Sequence, residues 1–326
     1  MCKVRRKLLL SMIMLALTVI TLSSTTYAWF VKNREAWTDE FDLDIDSSEG
    51  LLISADGINF SQDISLEDLT AAIERKTGVD YTDIEYQGIT LKHTADKKIS
   101  FDSGGNPEFQ KDALTQTENS EYYTHTMTAA SASEYIAFDL WVKVLSTGNQ
   151  HPEFNLRLQE TSYIRSEAVD IELQNSLTTP QKEYDSGDII TVNPADAMRL
   201  GVVVEESSGE RTMKVFEPNA GLGSAAIEGR EDQIYNKNLN AMYTYYNKIH
   251  PFSKFTEAAL DGEGFDTARS FDEVSLGRFA YAAEAGDYNT IKLTVCVWLE
   301  GWDADYFMGI PSGKVKVKLG FTIDNL

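Results

Sequence analysis

Two long alternating segments near the C-terminal end of the chain constrain its fold more than any other feature. In residues 291–299 apolar side chains occupy every second position, and Lys292 and Thr294 lie between them. Residues 315–323 repeat the pattern, with Lys316 and Lys318 between apolar residues. A period of two is that of a strand with one buried face. Such strands predict two antiparallel sheets packed together.

The same alternation recurs in residues 41–46, 136–144, 154–158 and 198–204. We therefore predict a mainly β protein, a jelly-roll-like antiparallel β-sandwich with helical insertions.

The helical insertions are expected near residues 61–133 and 219–288. A helix is predicted from Ser65 to Arg75 or Lys76, because Ser65 and Asp68 have the spacing of a capping box. In the second insertion, apolar and tyrosine side chains recur at the spacing of one helix face: Tyr235, Leu239, Met242, Tyr246 and Ile249.

The N-terminus has the pattern of a secretory signal. Basic residues precede an apolar run from Leu8 to Leu22, and its fifteen residues are fewer than the roughly 20 of a membrane span. Thr26 and Ala28 place small residues three positions and one position before a cleavage site at Trp29. We predict a signal peptide over 1–28 and a single secreted domain over 29–326, which contacts the membrane only through the N-terminal segment before cleavage. The alternative is an uncleaved anchor.

The charge of the chain limits its partners. It has 51 acidic and 29 basic side chains, a net charge of −22. Such a surface repels nucleic acid, so no nucleic-acid partner is expected. Cys2 lies in the predicted signal, which leaves Cys296 alone and predicts no internal disulfide. Cys296 is interpreted as a small side chain on a strand, with a reactive thiol or an intermolecular link as the alternatives.

Charged residues occupy every second position of two predicted strands, one near each end of the domain, and we call these two sets the charged stripes. The acidic stripe lies on an early strand and the basic stripe on the last one: Asp42, Asp44, Asp46 and Lys314, Lys316, Lys318. Side by side they would form a ladder of ion pairs that helps to set the register. The ladder would join first and last strand within one subunit, or join neighbouring subunits head to tail. Solvated stripes that never meet remain a third interpretation.

Candidate chemistry is sparse. Glu300, Asp303 and Asp305 cluster after a long strand and form a weak candidate for Ca²⁺, with a solvated acidic turn as the alternative. No other cofactor is expected. The four histidines (His93, His125, His151 and His250) are all more than five residues apart, and no H-E-x-x-H motif occurs. We therefore expect no enzyme, although a metallopeptidase is not excluded.

A family resemblance begins at Thr25-Thr26-Tyr27-Ala28-Trp29-Phe30. A signal that ends in T-Y-A-W-F before an acidic β-rich body resembles Gram-positive surface proteins with SipW-dependent signal peptides, such as TasA and camelysin. Three later segments resemble ones that recur in clostridial and mollicute surface proteins with such signals: Met198-Arg199-Leu200, Phe216-Glu217-Pro218-Asn219 and Val297-Trp298-Leu299-Glu300-Gly301-Trp302-Asp303.

The resemblance implies a secreted or cell-surface protein of the extracellular matrix or biofilm that self-associates into fibres. Other surface or matrix components are further expected partners. After cleavage, Trp29, Phe30 and Val31 would either pack as a first strand on their own sheet or add to the edge of a neighbour as an assembly strand. One alternative is a carbohydrate-binding or adhesive module with an exposed platform that includes Trp141, Trp298 or Trp302. The other is a camelysin-like metallopeptidase.

Overall fold

The computed structural model describes most of the region after the predicted signal. It covers residues 41–47, 50–94, 98–116, 123–145, 152–173, 177–178, 183–205, 209–219, 267–268, 270–282, 287–301, 303–306 and 315–325. The predicted signal, the predicted assembly strand, Lys314, Trp302 and the predicted helix around Tyr235–Ile249 lie outside these residues.

The described chain is mainly β. Its strands are β1 Phe41–Ser47, β2 Leu51–Ser54, β3 Gly88–Leu91, β4 Phe109–Gln116, β5 Tyr123–Ala129, β6 Ile136–Val144, β7 Phe154–Leu158, β8 Tyr163–Ser166, β9 Val169–Glu172, β10 Leu177–Thr178, β11 Glu183–Tyr184, β12 Ile189–Val192, β13 Met198–Glu205, β14 Arg211–Phe216, β15 Thr267–Ala268, β16 Gly277–Phe279, β17 Tyr281–Ala282, β18 Asp287–Tyr288, β19 Ile291–Glu300 and β20 Val315–Asn325. One α-helix, α1 Leu66–Thr77, and five short 3₁₀ turns are described: Tyr81–Asp83, Ala132–Glu134, Pro194–Ala197, Phe271–Glu273 and Ala304–Tyr306.

Helix α1 begins where the sequence predicts it. The Ser65 hydroxyl accepts a hydrogen bond from the backbone N–H of Asp68 at 3.1 Å. The hydroxyl also donates to the Asp68 carboxylate at 2.6 Å. The helix ends at Gly78, whose φ of 72° is the left-handed conformation that glycine adopts most easily. Leu69, Ala72 and Ile73 form its buried face.

Two large sheets carry the architecture. The smaller has the order β1-β20-β7-β16, with β8 also paired to β20. In the larger, β19 lies between β13 and β6; β14 and β15 continue beyond β13, and β2 continues beyond β6. The end of β19 also pairs with β3, from which β4 and β5 follow.

The two sheets share one hydrophobic core. It contains Ile45 of β1, Leu319 of β20, Phe138 of β6 and Val295 of β19. The other face of the larger sheet is covered too. Cys296 and Trp298 of β19 pack there with Phe109 of β4 in a second cluster. The β19 side chains at even positions, which local pattern assigns to solvent, are therefore largely buried as well.

The prediction of wholly antiparallel sheets is wrong at three strand pairs. β1 runs parallel to β20, β3 runs parallel to β19, and β14 runs parallel to β15. Each of these pairs joins strands that are far apart in sequence. Since no tight hairpin links them, nothing forces an antiparallel arrangement.

The region expected to contain the first helical insertion holds α1 but also β3, β4 and β5. Ile99 and Phe101 in this region form isolated bridges, to His93 and Pro107 respectively. Among the described residues, no helix is both long and apolar enough to span a membrane.

Candidate functional site

The first and last strands lie side by side, which brings the two charged stripes into one register. Asp42 is opposite Lys316, and Asp44 is opposite Lys318. Asp46 is opposite Gly320 and so has no lysine across from it. Of the two cross-strand arrangements that the sequence allows, this backbone pairing is the one within a single subunit.

Strand β20 carries positive charge toward its other neighbour as well. Arg165 of β8 is the antiparallel partner of Lys316. The Arg165 guanidinium lies over the Tyr163 ring at 4.4 Å, which gives that cation a favourable contact. Arg165 and Lys316 are both cationic and repel each other across the pair of β8 and β20. The register of β1 on β20 places Asp42 opposite Lys316, and this opposite charge favours that register.

A buried charge cluster is the most unusual arrangement in the described chain. Arg199 of β13 is 1% exposed and lies between Met198 and Leu200, which face the main core. Its guanidinium donates hydrogen bonds to the carboxylates of Glu217, at 2.6 Å, and of Asp303. Both carboxylate residues are buried too. A buried guanidinium is tolerated only when it is paired in this way.

Separate elements hold the two carboxylates in place. The Thr267 hydroxyl in β15 donates to Glu217 at 3.1 Å, and the Glu217 backbone N–H donates to Ala268 at 2.8 Å. Asp303 accepts a hydrogen bond from the backbone N–H of Asp305 at 2.7 Å. The cluster thus joins β13, β14, β15 and the turn after β19.

The Phe216–Asn219 segment makes a further connection. The Asn219 side chain donates to the backbone oxygen of Ile164 at 2.8 Å and to that of Ala195 at 3.1 Å. These bonds tie the segment that follows β14 to β8 and to the turn before β13. Residues 198–200, 216–219 and the described part of 297–303 therefore meet at one place inside the molecule.

The acidic turn that suggested a calcium site is part of this cluster. Glu300, Asp303 and Asp305 are buried, so the turn is not a solvated one. Glu300 accepts a hydrogen bond from the indole N–H of Trp298 at 3.0 Å. Asp303 is engaged by the Arg199 guanidinium. Within the described ranges, no group of three or more His, Cys, Asp and Glu side chains is arranged to hold a metal ion.

Close backbone contact fixes the start of that turn. A Cβ atom on Gly301 would lie 2.7 Å from the carbonyl carbon of Gly88. The Gly88 N–H donates to the Tyr306 hydroxyl at 3.2 Å. The Gly301 N–H donates to the backbone oxygen of Ile89 at 2.9 Å. Glycine is therefore required at both positions for β3 to pair with the end of β19.

The cluster contains more buried carboxylates than cations. Burial raises the pKa of Glu217 to about 7; Arg199 opposes the rise and Asp303 adds to it. Burial also raises the pKa of the half-buried Asp196 to about 6, with further repulsion from Asp303. One guanidinium faces several buried carboxylates, so protonation relieves the excess negative charge. The enclosed cluster can therefore bind a proton.

The sequence contained a signal for this cluster that periodicity alone did not reveal. Arg199 occupies a position of β13 that should face solvent if only one side of the sheet is covered. A charged residue in a strand as apolar as 198–204 also fits a buried ion pair. Its partners could not be identified, since Glu217 and Asp303 are distant along the chain.

The remaining candidate residues do not form a site in the described chain. Trp298 has no exposed surface and so cannot belong to an exposed aromatic platform. Trp141 packs against Gly57 and lies under the Lys292 ammonium group at 5.2 Å. His93 is partly buried, and burial lowers its pKa. His151 and His250 lie outside the described residues, and the side chain of His125 is not described.

Comparisons with protein-family models, with curated proteins and with solved structures found no match to this chain.

Proposed function

We propose that this chain is a secreted or cell-surface structural protein that self-associates, as a fibre subunit of an extracellular matrix, on a β-sandwich of the jelly-roll type. The observation that carries the proposal is the position of β1. In the part of the chain that the structure describes, β1 pairs with β20 alone, at the edge of its sheet. An edge strand presents unpaired backbone groups to a further strand.

The segment before β1 has the composition and length for such a contact. It runs from the predicted cleavage site at Trp29 to residue 40 and begins with three apolar residues, Trp29, Phe30 and Val31. Twelve extended residues span up to about 40 Å. We propose that this length lets the segment add to the sheet of a neighbour. Strand addition gains affinity from backbone hydrogen bonds and specificity from side-chain pockets.

The charge on β1 favours a head-to-tail arrangement. Asp42, Asp44 and Asp46 on identical edges would repel if two copies of β1 met. An N-terminal segment from one copy, added to a different part of the next copy, avoids that repulsion. Contacts of this heterologous kind continue into filaments when the rotation between copies does not close.

Deletion of residues 29–36 from the mature chain tests the proposal. The mature chain is expected to form polymers visible by electron microscopy, and the deletion variant a folded monomer by size-exclusion chromatography and circular dichroism. A control that replaces residues 29–36 by a Gly/Ser linker of equal length keeps the spacing and removes the apolar side chains. It should also be monomeric. Unchanged polymers in the deletion variant would refute the proposal.

A further inference from the structure

A basic groove lies at one end of the larger sheet, away from the buried charge cluster. Its volume is about 760 Å³, within the range of sites for small molecules and short oligomers. The ends of β13, β14 and β19 form its floor and sides, together with residues 275–278. We define the groove by its five cationic side chains: Lys76, Arg211, Lys214, Arg278 and Lys292.

The charge of this groove is opposite to that of the whole protein. The chain has 29 basic side chains against 51 acidic ones, yet the groove is lined by five cations and a single carboxylate residue, Glu205. Two more carboxylates, Asp139 and Glu153, pair with groove cations. An excess of two positive charges remains. Because like charges are costly to concentrate, a basic concavity on an acidic protein attracts and holds anions.

The two excess positive charges of the groove arise at two places. Asp139 is shared: Lys76 lies 2.7 Å and Lys292 2.8 Å from its two carboxylate oxygens. Burial alone would raise the pKa of Asp139, but the hydrogen bonds from these two lysines outweigh it and lower the pKa. Lys214 is the second position, since it has no ion pair with any residue in the described ranges.

Arg211 and Arg278 are partly neutralised at the rim. Arg211 pairs with Glu205 at 3.0 Å, and its guanidinium lies so close to Gly105 that a side chain there would collide with it. Arg278 pairs with Glu153. These contacts orient the two guanidinium groups without removing all of their hydrogen-bond donors, because a guanidinium has five.

The rest of the lining is rich in neutral hydrogen-bonding groups. Thr212, Ser275, Asn289 and Thr290 all contribute to it. The Thr212 hydroxyl oxygen is buried and has no hydrogen-bond partner within the described part of the chain. A buried hydroxyl without a partner is unfavourable, and this oxygen is closed to the groove in the described structure. Hydroxyl and amide groups beside cations match a ligand that is both polyhydroxylated and anionic.

We propose that the basic groove binds an acidic saccharide, a sugar chain that bears carboxylate or phosphate groups. The lysines supply charge-assisted hydrogen bonds to the anionic groups. Ser275, Asn289 and Thr290 bond to the sugar hydroxyls. This inference does not depend on self-association, and it gives the surface protein a site for a charged matrix component.

Binding titrations with the folded mature chain test this proposal. The probes are oligogalacturonate, which supplies carboxylates, its fully methyl-esterified form, which is neutral, and a glycerol-phosphate oligomer, which supplies phosphates. Poly-glutamate supplies charge without sugar hydroxyls. We expect saturable binding of at least one charged saccharide, strong weakening between 50 and 300 mM salt, and little binding of the methyl ester or of poly-glutamate. The two charged saccharides show which anion the groove prefers.

The variants are Lys214→Met and Lys292→Met. Neither leaves a carboxylate unpaired in the described chain, because Asp139 keeps Lys76. Each should weaken binding at least about tenfold, the effect of losing one hydrogen bond to a charged group. Lys92→Met, at a lysine outside the groove, is the matched control and should bind as the unaltered chain does. Circular dichroism and unfolding midpoints verify that all three fold.

Three outcomes would overturn the proposal. The first is no binding of either charged saccharide at millimolar concentration. The second is binding that neither groove variant weakens. The third is binding of poly-glutamate as tight as that of the charged saccharides, because the neutral hydrogen-bonding groups would then contribute nothing to recognition.

Discussion

Replacement of Arg199 by methionine is the sharpest test of the buried charge cluster. The Arg199 side chain is 2% exposed, and it pairs with Glu217 and Asp303, whose side chains are 6% and 1% exposed. Methionine preserves much of the length and apolar volume but removes the guanidinium. The variant therefore leaves two buried carboxylates without their cation.

The expected loss in the free energy of unfolding follows from that burial. Removal of one partner of a buried ion pair costs about 3–5 kcal/mol. The carboxylates can escape the full penalty by binding protons. For an ordinary aspartate, with a pKa of about 3.9 in the unfolded chain, protonation at pH 7 costs about 4 kcal/mol, and at pH 5 about 1.5 kcal/mol. The loss should thus be about 3–5 kcal/mol at pH 7 and about 2–3 kcal/mol smaller at pH 5.

Urea unfolding at the two pH values, followed by tryptophan fluorescence, measures both numbers. The dependence of the unfolding free energy on urea should stay unchanged, because the variant buries the same surface. Arg165→Met is the matched control: Arg165 is exposed on β8, and its loss should change stability by no more than about 0.5 kcal/mol.

Two results would refute the reasoning. A loss below about 1 kcal/mol at pH 7 would mean that the carboxylates do not depend on Arg199. An equal loss at pH 5 and pH 7 would mean that the destabilisation comes from packing rather than from unpaired charge.

Three further predictions concern protonation, register and thiol reactivity. The folded-state pKa of Glu217 is raised to about 7, so its stabilising proton is bound at low pH and lost as the pH rises from about 4.5 through 7. The unfolding free energy should fall over that window, and Glu217→Gln should reduce the fall by on the order of 2 kcal/mol. An unchanged slope would contradict this. Asp44→Lys in β1 and Lys318→Asp in β20 should each lower the unfolding free energy, and the double variant should recover about 0.2–1 kcal/mol of it. Additive effects in a double-mutant cycle would count against the ion-pair ladder. Burial raises the pKa of the Cys296 thiol to about 12, so a thiol reagent at pH 8 should modify it only after denaturation; rapid labelling of the native protein would disprove its burial.

The sequence identified strands more reliably than it identified their partners. Strands β19 and β20 were predicted because period two reflects burial of one face, a local property of the chain. The pairing of β1 with β20 was anticipated only through charge, since Asp42 and Lys316 have complementary side chains. The parallel direction itself depends on how the intervening chain crosses between the sheets, and no local pattern encodes that.

The same distinction explains why the cluster was misinterpreted. Glu300 and Asp303 were interpreted as part of a weak Ca²⁺ site or, alternatively, of a solvated acidic turn, because carboxylates so close together repel unless they are solvated or bridged by a cation. They are buried because β3 pairs with the end of β19 and because β4 packs over Trp298, whose ring lies 5.3 Å from that of Phe109. A second covered face changes the environment of every alternate residue on the sheet, and the residues that cover it come from about 190 positions earlier in the chain.

Three separate segments, residues 198–200, 216–219 and the described part of 297–303, depend on one another through this arrangement. Arg199 needs Glu217 and Asp303 because a buried guanidinium without carboxylates is strongly destabilising. The carboxylates in turn need Arg199, because each buried charge would be left unpaired without the other. The three segments therefore act as one structural unit that joins the larger sheet to its final turn.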